Sequence, residues 1–411
     1  MDINNLVKIK EGLAEIFIYS FDENSIPSKS MNVFYNQKME LNRDVTNLAL
    51  MAYKKLYNQL KLIVVDSMAA SGISSIRMIK ECKGIGKIFI NDINPDAVDL
   101  IHRNIKLNDI NKDLYNVEIS RKDANYLFLE IAQKARAPTE KIQTRPNVIS
   151  IDPFGTPNIY IDAAFKAIQK ENALMCITAT DTAVLFGVRP VACLRKYMSK
   201  PLRTEYAKEI GARILIHFIS KIANLNDLGI LPVLTLYSNH FIRVFCITYK
   251  GKKIINKNLN KHGYFFHCGN CGNRFQVDFN DFSTPKKCSL CNNNKLDLGG
   301  PLWIGNIHNQ EFIQMMILLN ENFDYKNNKR IEKLLNFSGE EIDMPISYYN
   351  IHELSKILKL KIIPKMNDIL QIIRDKGFDV SRTHFDFLSI KTNMNINLLK
   401  NCLVEFEKKL R

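Results

Sequence analysis

The sequence predicts an α/β fold, a doubly wound sheet of largely parallel strands, on three observations. Short uninterrupted apolar runs alternate with helical stretches between about residues 45 and 250. Acidic residues recur where those runs end, and a paired Cys-x-x-Cys beyond them marks a separate module.

The runs are Leu62–Asp66 (LIVVD), Lys87–Asp92 (KIFIND), Val117–Ser120 (VEIS), Val148–Asp152 (VISID) and Ala173–Thr178 (ALMCIT). Strands this apolar, with helices between them, belong in a parallel sheet covered on both faces. Val233–Tyr237 and Phe241–Tyr249 read as a hairpin that completes a seven-stranded sheet. The Lys- and Asn-rich stretch 251–263 reads as a linker between a unit spanning 1–250 and a second spanning 251–411. The second unit holds the cysteine module at 264–300 and a tail at 325–411, where two amphipathic helices and an extended stretch, FDVSRTHFDFLSIKT, predict a winged-helix-like α+β domain.

Lys and Arg number 57 against 42 acidic residues, a net charge of +15 that favours an anionic partner such as nucleic acid. The Lys and Asn are dispersed, so a merely solvated surface accounts for the charge equally well. The opening MDINNLVKIKEG has no apolar stretch before a small-residue cleavage site, and no run of about 18 apolar residues follows anywhere. A cytoplasmic, reducing setting is therefore expected, with no membrane contact, and there nine cysteines serve as thiols and metal ligands.

After the first strand comes DSMAASGISSIR, which places Asp66 at a strand end and the small residues Ser71 and Gly72 in the turn before a helix. Ligands of open α/β sheets bind outside the carboxyl ends of the strands, where small residues let backbone amides approach. The turn lacks the further glycines of a dinucleotide fingerprint. Asp92, with Ile93 beside it, ends the second strand where a carboxylate accepts from ribose hydroxyls, and Asp123 with Ala124 follows the third, where an adenine edge would lie. Each aspartate alone is more often a helix cap; together they describe a nucleoside crevice.

The fourth strand ends in VISIDPFGTP. An exocyclic amine of a nucleobase has its lone pair delocalised into the ring, and it attacks an electrophile only when acceptors hold its N–H groups. Asp152, with a carbonyl at Pro153, supplies such acceptors, and Phe154 offers a face for an extruded base. The alternative is an ordinary D-P turn.

Cys268, Cys271, Cys288 and Cys291 form two Cys-x-x-Cys pairs sixteen residues apart, the spacing of a four-thiolate structural zinc of zinc-ribbon type. His267 reads as a bystander. In the tail, Arg382, His384 and Lys391 are candidates for phosphate contact.

With these residues in hand, the chain resembles the archaeal and eukaryotic tRNA guanine-26 N2-dimethyltransferases along essentially its whole length. The resemblance rests on EGLAEIFI, VFYNQKMELNRDVTN, DSMAASGISSIR, NDINPDAV, KDAN, DPFGTP, GVRPVACLRKY with KEIGARILI, the paired C-x-x-C, GPLWIG and SRTHFDFLSIKT, all in order. It implies a class I S-adenosylmethionine-dependent methyltransferase with a Rossmann-like sheet. It further implies that residues 1–45 form a lid segment, that Arg43 and Arg77 anchor the methionyl carboxylate, that Asp92 holds the ribose, that Asp123 and Ala124 frame the adenine, and that Asp152 and Phe154 form the base pocket. Asn42 and Asp44 beside Arg43 are weaker candidates. Ser74 stands where the family often has arginine, and Gln37 where proline is common. The implied reaction gives N2-methyl- and then N2,N2-dimethylguanosine at position 26 of tRNA, with the RTHF stretch touching tRNA and no obligatory protein partner. Two rivals stay open from residues alone: a methyltransferase for an amine in ribosomal RNA or DNA, and a zinc-stabilised RNA-binding protein without catalysis.

Overall fold

The computed structural model describes residues 6–20, 31–136, 145–281 and 285–410; parts of the expected lid segment and of the cysteine module, and the final residue of the tail, fall outside them. A hairpin of β1 (Leu6–Glu11) and β2 (Ala14–Tyr19) precedes helix α1 (Glu40–Leu56). Then follow β3 (Leu62–Asp66), α2 (Ile73–Glu81), β4 (Ile85–Asn91), α3 (Pro95–Leu107), β5 (Val117–Ser120), α4 (Ala124–Lys134), β6 (Val148–Ile151), α5 (Asn158–Ala167) and β7 (Ala173–Ala179). Helices α6 (Thr182–Leu185), α7 (Pro190–Tyr197) and α8 (Ala207–Leu225) lead into β8 (Leu228–Ser238) and β9 (Phe241–Lys250).

The seven strands β3 to β9 form one sheet in the order β5-β4-β3-β6-β7-β9-β8, in which only β9 runs against its neighbours. Every residue of β6 and β7 is buried, as expected of strands covered on both faces. The order reverses between β3 and β6, because the chain runs outward through β4 and β5 and then returns to the other side of β3. That reversal opens a crevice beyond the carboxyl ends of β3 and β6.

The stretch expected as a linker is a helix, α9 (Lys252–Leu259), laid against the sheet edge. Buried Asn258 holds it there, its side chain accepting from the Ile230 amide at 2.7 Å and donating to the Ile230 carbonyl at 3.0 Å. The ribbon β10 (His262–Cys268), β11 (Arg274–Asp278) and β12 (Leu296–Trp303) pairs in the order β11-β10-β12. Helices α10 (Gln310–Asn320) and α11 (Asn328–Glu340) come next; Phe312, Ile313 and Leu335 share one core with Leu48 and Ala52 of α1. Packing is thus continuous across residue 250, and Phe265, Trp303 and Phe385 likewise join the core around β7 and α8. A separate core begins only at Tyr349, with β13 (Tyr349–Asn350), α12 (Ile351–Ile357), α13 (Met366–Asp375), β14 (Val380–Arg382), β15 (Ser389–Thr392) and α14 (Ile396–Leu410). Two helices, a β14–β15 hairpin and a closing helix make the winged-helix-like tail.

Candidate active site and zinc centre

The turn after β3 is built by backbone strain that small residues accept. Ala70 and Gly72 take φ of 48° and 78°, and a Cβ at Gly72 would lie 3.1 Å from Ile101, so glycine is needed there for both conformation and space. The turn is pinned to the next strand, because the Ala70 amide donates to Asp92 Oδ2 at 2.8 Å and Asn104 donates to the Ser71 carbonyl at 2.9 Å. Asp92 Oδ1 accepts from the Asn94 amide at 2.9 Å, yet the carboxylate has no cation partner among the described residues, and Ile93 beside it is exposed. Ser71 Oγ is buried with no hydrogen-bond partner among the described residues. An orphaned hydroxyl inside a strained small-residue turn fits a ligand that completes it. Asp123 caps α4, accepting from the Asn125 amide at 2.9 Å, with Ala124 buried behind it.

Asp66 is buried at the end of β3, where it accepts from Ser75 Oγ at 2.7 Å. Burial pushes its carboxyl up from 3.8 to about 6, against the pull of the Ser75 hydroxyl. An acid whose folded pKa lies above its unfolded one is penalised once ionised, so the cost appears as pH rises from about 4 to 6 and persists above, reaching roughly 3 kcal/mol. Asp66→Asn should therefore be more stable than the wild type at pH 7.5 and no more stable at pH 4, as measured by chemical denaturation of the ligand-free proteins.

Arg43 and Arg77 belong to one buried ion cluster. Glu11 of β1 accepts from Arg43 Nε and Nη2, both at 2.6 Å, and from Arg77 Nη1 at 2.8 Å. Arg77, with no accessible surface, also engages Asp44 at 2.6 Å and Glu81 at 2.9 Å. Three protein carboxylates hold Arg77, the arginine that the resemblance implies as a carboxylate anchor. Arg43 differs: its Nη1 makes no hydrogen bond among the described residues, and its charge is felt at Asp152.

The β6 loop is the most constrained part of the crevice. Asp152 follows the strand; its Oδ2 accepts from Asn42 Nδ2 at 3.3 Å and lies 3.9 Å from Arg243 Nη1. Arg243, buried on β9, is itself fixed by Thr178 at 2.5 Å and Ser150 at 3.2 Å. Burial raises the Asp152 carboxyl, while Arg243, the Thr178 hydroxyl and Arg43 oppose the rise. Pro153 is buried, and Phe154 projects with 44% of its surface exposed, meeting Phe34 edge-on at 4.6 Å between centroids. Gly155, at φ 90°, donates to Thr180 Oγ1 at 2.6 Å. Thr156 then donates to Tyr197, which donates to Asp181 at 2.8 Å, tying the loop to α7. Sequence reasoning missed Phe34 and Arg243. An arginine inside the apolar run FIRVFCITY was a usable signal, since a strand buries a cation only with partners.

The four cysteines converge. Cys268 and Cys291, and Cys271 and Cys288, stand 3.6 Å apart through their Sγ atoms, and all four ligand atoms lie within 4.8 Å of one another. Tetrahedral thiolates at Zn–S distances of ~2.3 Å are about 3.8 Å apart, so the set fits zinc. The Asn273 and Leu290 amides donate to Cys271 and Cys288 sulfurs at 3.4 Å, as knuckle turns do for thiolates. His267 bonds Tyr206 at 2.8 Å and stands outside the set. The remaining five cysteines are buried.

The expected RNA contacts of the tail are corrected in two cases. His384 and Lys391 are buried, His384 on Glu341, and Lys391 on Glu209 of α8 at 2.7 Å and Glu341 at 3.4 Å. A charge this deep is paired inside the protein and cannot reach a phosphate. Arg382 is half-buried over the Phe337 ring, 4.7 Å from its centroid, and bonds the Phe387 carbonyl. No helix among the described residues is long and apolar enough to cross a membrane.

Comparison with known proteins places this arrangement. Residues 14–404 match the family model described as N2,N2-dimethylguanosine tRNA methyltransferase. A tRNA (guanine(26)-N(2))-dimethyltransferase of Methanobrevibacter smithii is 35% identical over 403 residues, covering 98% of both chains, and that of Methanosphaera stadtmanae is 34% identical over 400 residues, covering 97% of both. The solved structure of Trm1 from Pyrococcus horikoshii with S-adenosyl-L-methionine superposes with a TM-score of 0.82 at 30% identity, covering 97% of this chain and 100% of that one. The crevice, the Asp152 loop and this match along almost the entire length agree, and the chain belongs to the N2,N2-dimethylguanosine tRNA methyltransferase family.

Proposed function

We propose that this protein transfers methyl groups from S-adenosylmethionine to the N2 amine of guanine at position 26 of tRNA, first one and then a second. The observation that carries the reading is the Asp152 carboxylate at the sheet's reversal, with the exposed Phe154 ring beside it. Bound S-adenosylmethionine supplies an electrophilic methyl on a sulfonium. The crevice residues Asp66, Ser71, Gly72, Asp92, Ile93, Asp123 and Ala124 hold its nucleoside part, and Arg43 faces its carboxylate. Phe154 and Phe34 hold the extruded guanine, Pro153 fixes the loop, and Asp152 accepts an N2 hydrogen so that the lone pair turns toward the methyl. As the new N–C bond forms and the methyl leaves sulfur, Asp152 takes the proton from the amine. The four cysteines hold a structural zinc that braces the ribbon, and action on tRNA fits a cytoplasmic place.

The tRNA-facing surface includes α7. From residue 182 to 204 the chain carries Arg189, Arg195, Lys196, Lys200 and Arg203 and no acidic residue. Val191 and Leu194 are exposed on the same helix, which the Thr156–Tyr197 bond ties to the base loop. Phosphate contacts release counterions, so Arg189→Ala and Arg195→Ala should each weaken tRNA binding and reduce the slope of log affinity against log salt by about one. Filter binding over a salt series measures it.

The reading is tested by incubating the purified protein with labelled S-adenosylmethionine and unmodified tRNA, then locating modified nucleosides by mass spectrometry. Dimethylguanosine at position 26 is the expected product; a folded, zinc-loaded protein that methylates no tRNA overturns the assignment.

A further inference from the structure

Asn42 stands on the first turn of α1, 4% exposed, and its Nδ2 donates to Asp152 at 3.3 Å. That bond fixes the amide, because a flip would turn its carbonyl oxygen toward the carboxylate. The oxygen left over, Oδ1, is buried with no hydrogen-bond partner among the described residues. An acceptor held out of water without a donor forfeits a hydrogen bond, and such orphans in a native protein call for a partner that arrives later. The nearby carboxylate is the acceptor of the N2 amine, and guanine carries a second donor, N1–H, next to that amine. Adenine carries a lone pair at its N1 instead. Phe154, two residues beyond Asp152, meets the Phe34 ring edge-on at 4.6 Å between centroids.

We propose that Asn42 is a specificity-determining residue whose Oδ1 accepts the N1–H of the target guanine, so that Asp152 and Asn42 together read two adjacent donors on one base edge. The inference rests on the proposed reaction. Because Asp152 locks the amide, the same oxygen faces the N1 lone pair of a base without that hydrogen and rejects it.

The test uses full-length protein and tRNAs carrying guanosine or 2-aminopurine at the target position; 2-aminopurine keeps the 2-amino group and lacks N1–H. The wild type should prefer guanine by at least about tenfold to a hundredfold in kcat/KM, the range expected when a buried acceptor is left unpaired. Asn42→Ala should bring that ratio to within about threefold of unity, mostly by losing rate on guanine, while cofactor affinity by calorimetry stays unchanged. Asn42→Asp, which keeps an acceptor, should retain the preference at a reduced rate. A structural role would lower both substrates equally. An unchanged ratio in Asn42→Ala, a fall explained by weaker cofactor binding, or no preference in the wild type overturns the inference while the proposed reaction stands. Failure of the wild type to methylate guanine at all overturns the reaction and the inference with it.

Discussion

Asp152→Ala will lower the rate of methyl transfer by about a thousandfold and leave S-adenosylmethionine affinity within about twofold of wild type. Removing one preorganised electrostatic partner of a transition state costs ~10²–10³, and loss of a positioned base costs ~10²–10⁴; one side chain here supplies both, and the effects overlap. The proposed cofactor contacts come from the turn at Ser71–Gly72 and from Asp92, on other strands, so binding should survive. Single-turnover rates with saturating tRNA, together with calorimetric titration of the cofactor, check both halves. The rate of the wild type should also fall as pH drops through the Asp152 pKa, which burial raises; protonation removes the acceptor, so activity is present above that value and lost below it. A loss of cofactor affinity comparable to the loss of rate would place Asp152 in cofactor binding instead.

Glu11→Ala will destabilise the protein by about 3–5 kcal/mol, because it strips from Arg43 its only carboxylate among the described residues and from Arg77 one of three within a buried site. Burial alone would raise the Glu11 carboxyl, but Arg43 and Arg77 hold it below its ordinary value. Its contribution is therefore present above the unfolded pKa and lost as pH falls through the depressed one. The same hairpin provides the contrast. Lys8 and Glu15 pair at 2.7 Å with side chains 48% and 44% exposed, and breaking that solvent-screened pair should cost far less. Urea denaturation of the two variants at pH 7 and pH 4 separates them; equal, small losses would mean that Arg43 finds solvent or another partner.

The contrast also shows what could be read from the chain. The sheet strands were legible because a strand covered on both faces must be apolar along its whole length, and each predicted run falls on a strand, with ends shifted by at most two residues in the parallel part. The converging cysteines and the DPF loop were legible because their chemistry is carried by neighbours in sequence. Ion pairs were not. Arg77 meets Glu11 across 66 residues, and Lys391 meets Glu209 across 182, so nothing near Arg77 or Lys391 announces that their charges are spent inside the protein. The α9 segment misled for the opposite reason. Its lysines and asparagines look like solvated linker, and one of them, Asn258, is the residue that docks it.

The Lys391 site has a consequence for how the tail is held. Glu209 belongs to a helix beside the central sheet, Lys391 to the tail, and Glu341 to the segment between them. Swinging the tail away would leave opposite charges stranded in a dry interior, at a cost of several kcal/mol. One lysine thus works as a latch: through Glu209 and Glu341 it fastens the tail to the helix beside the central sheet.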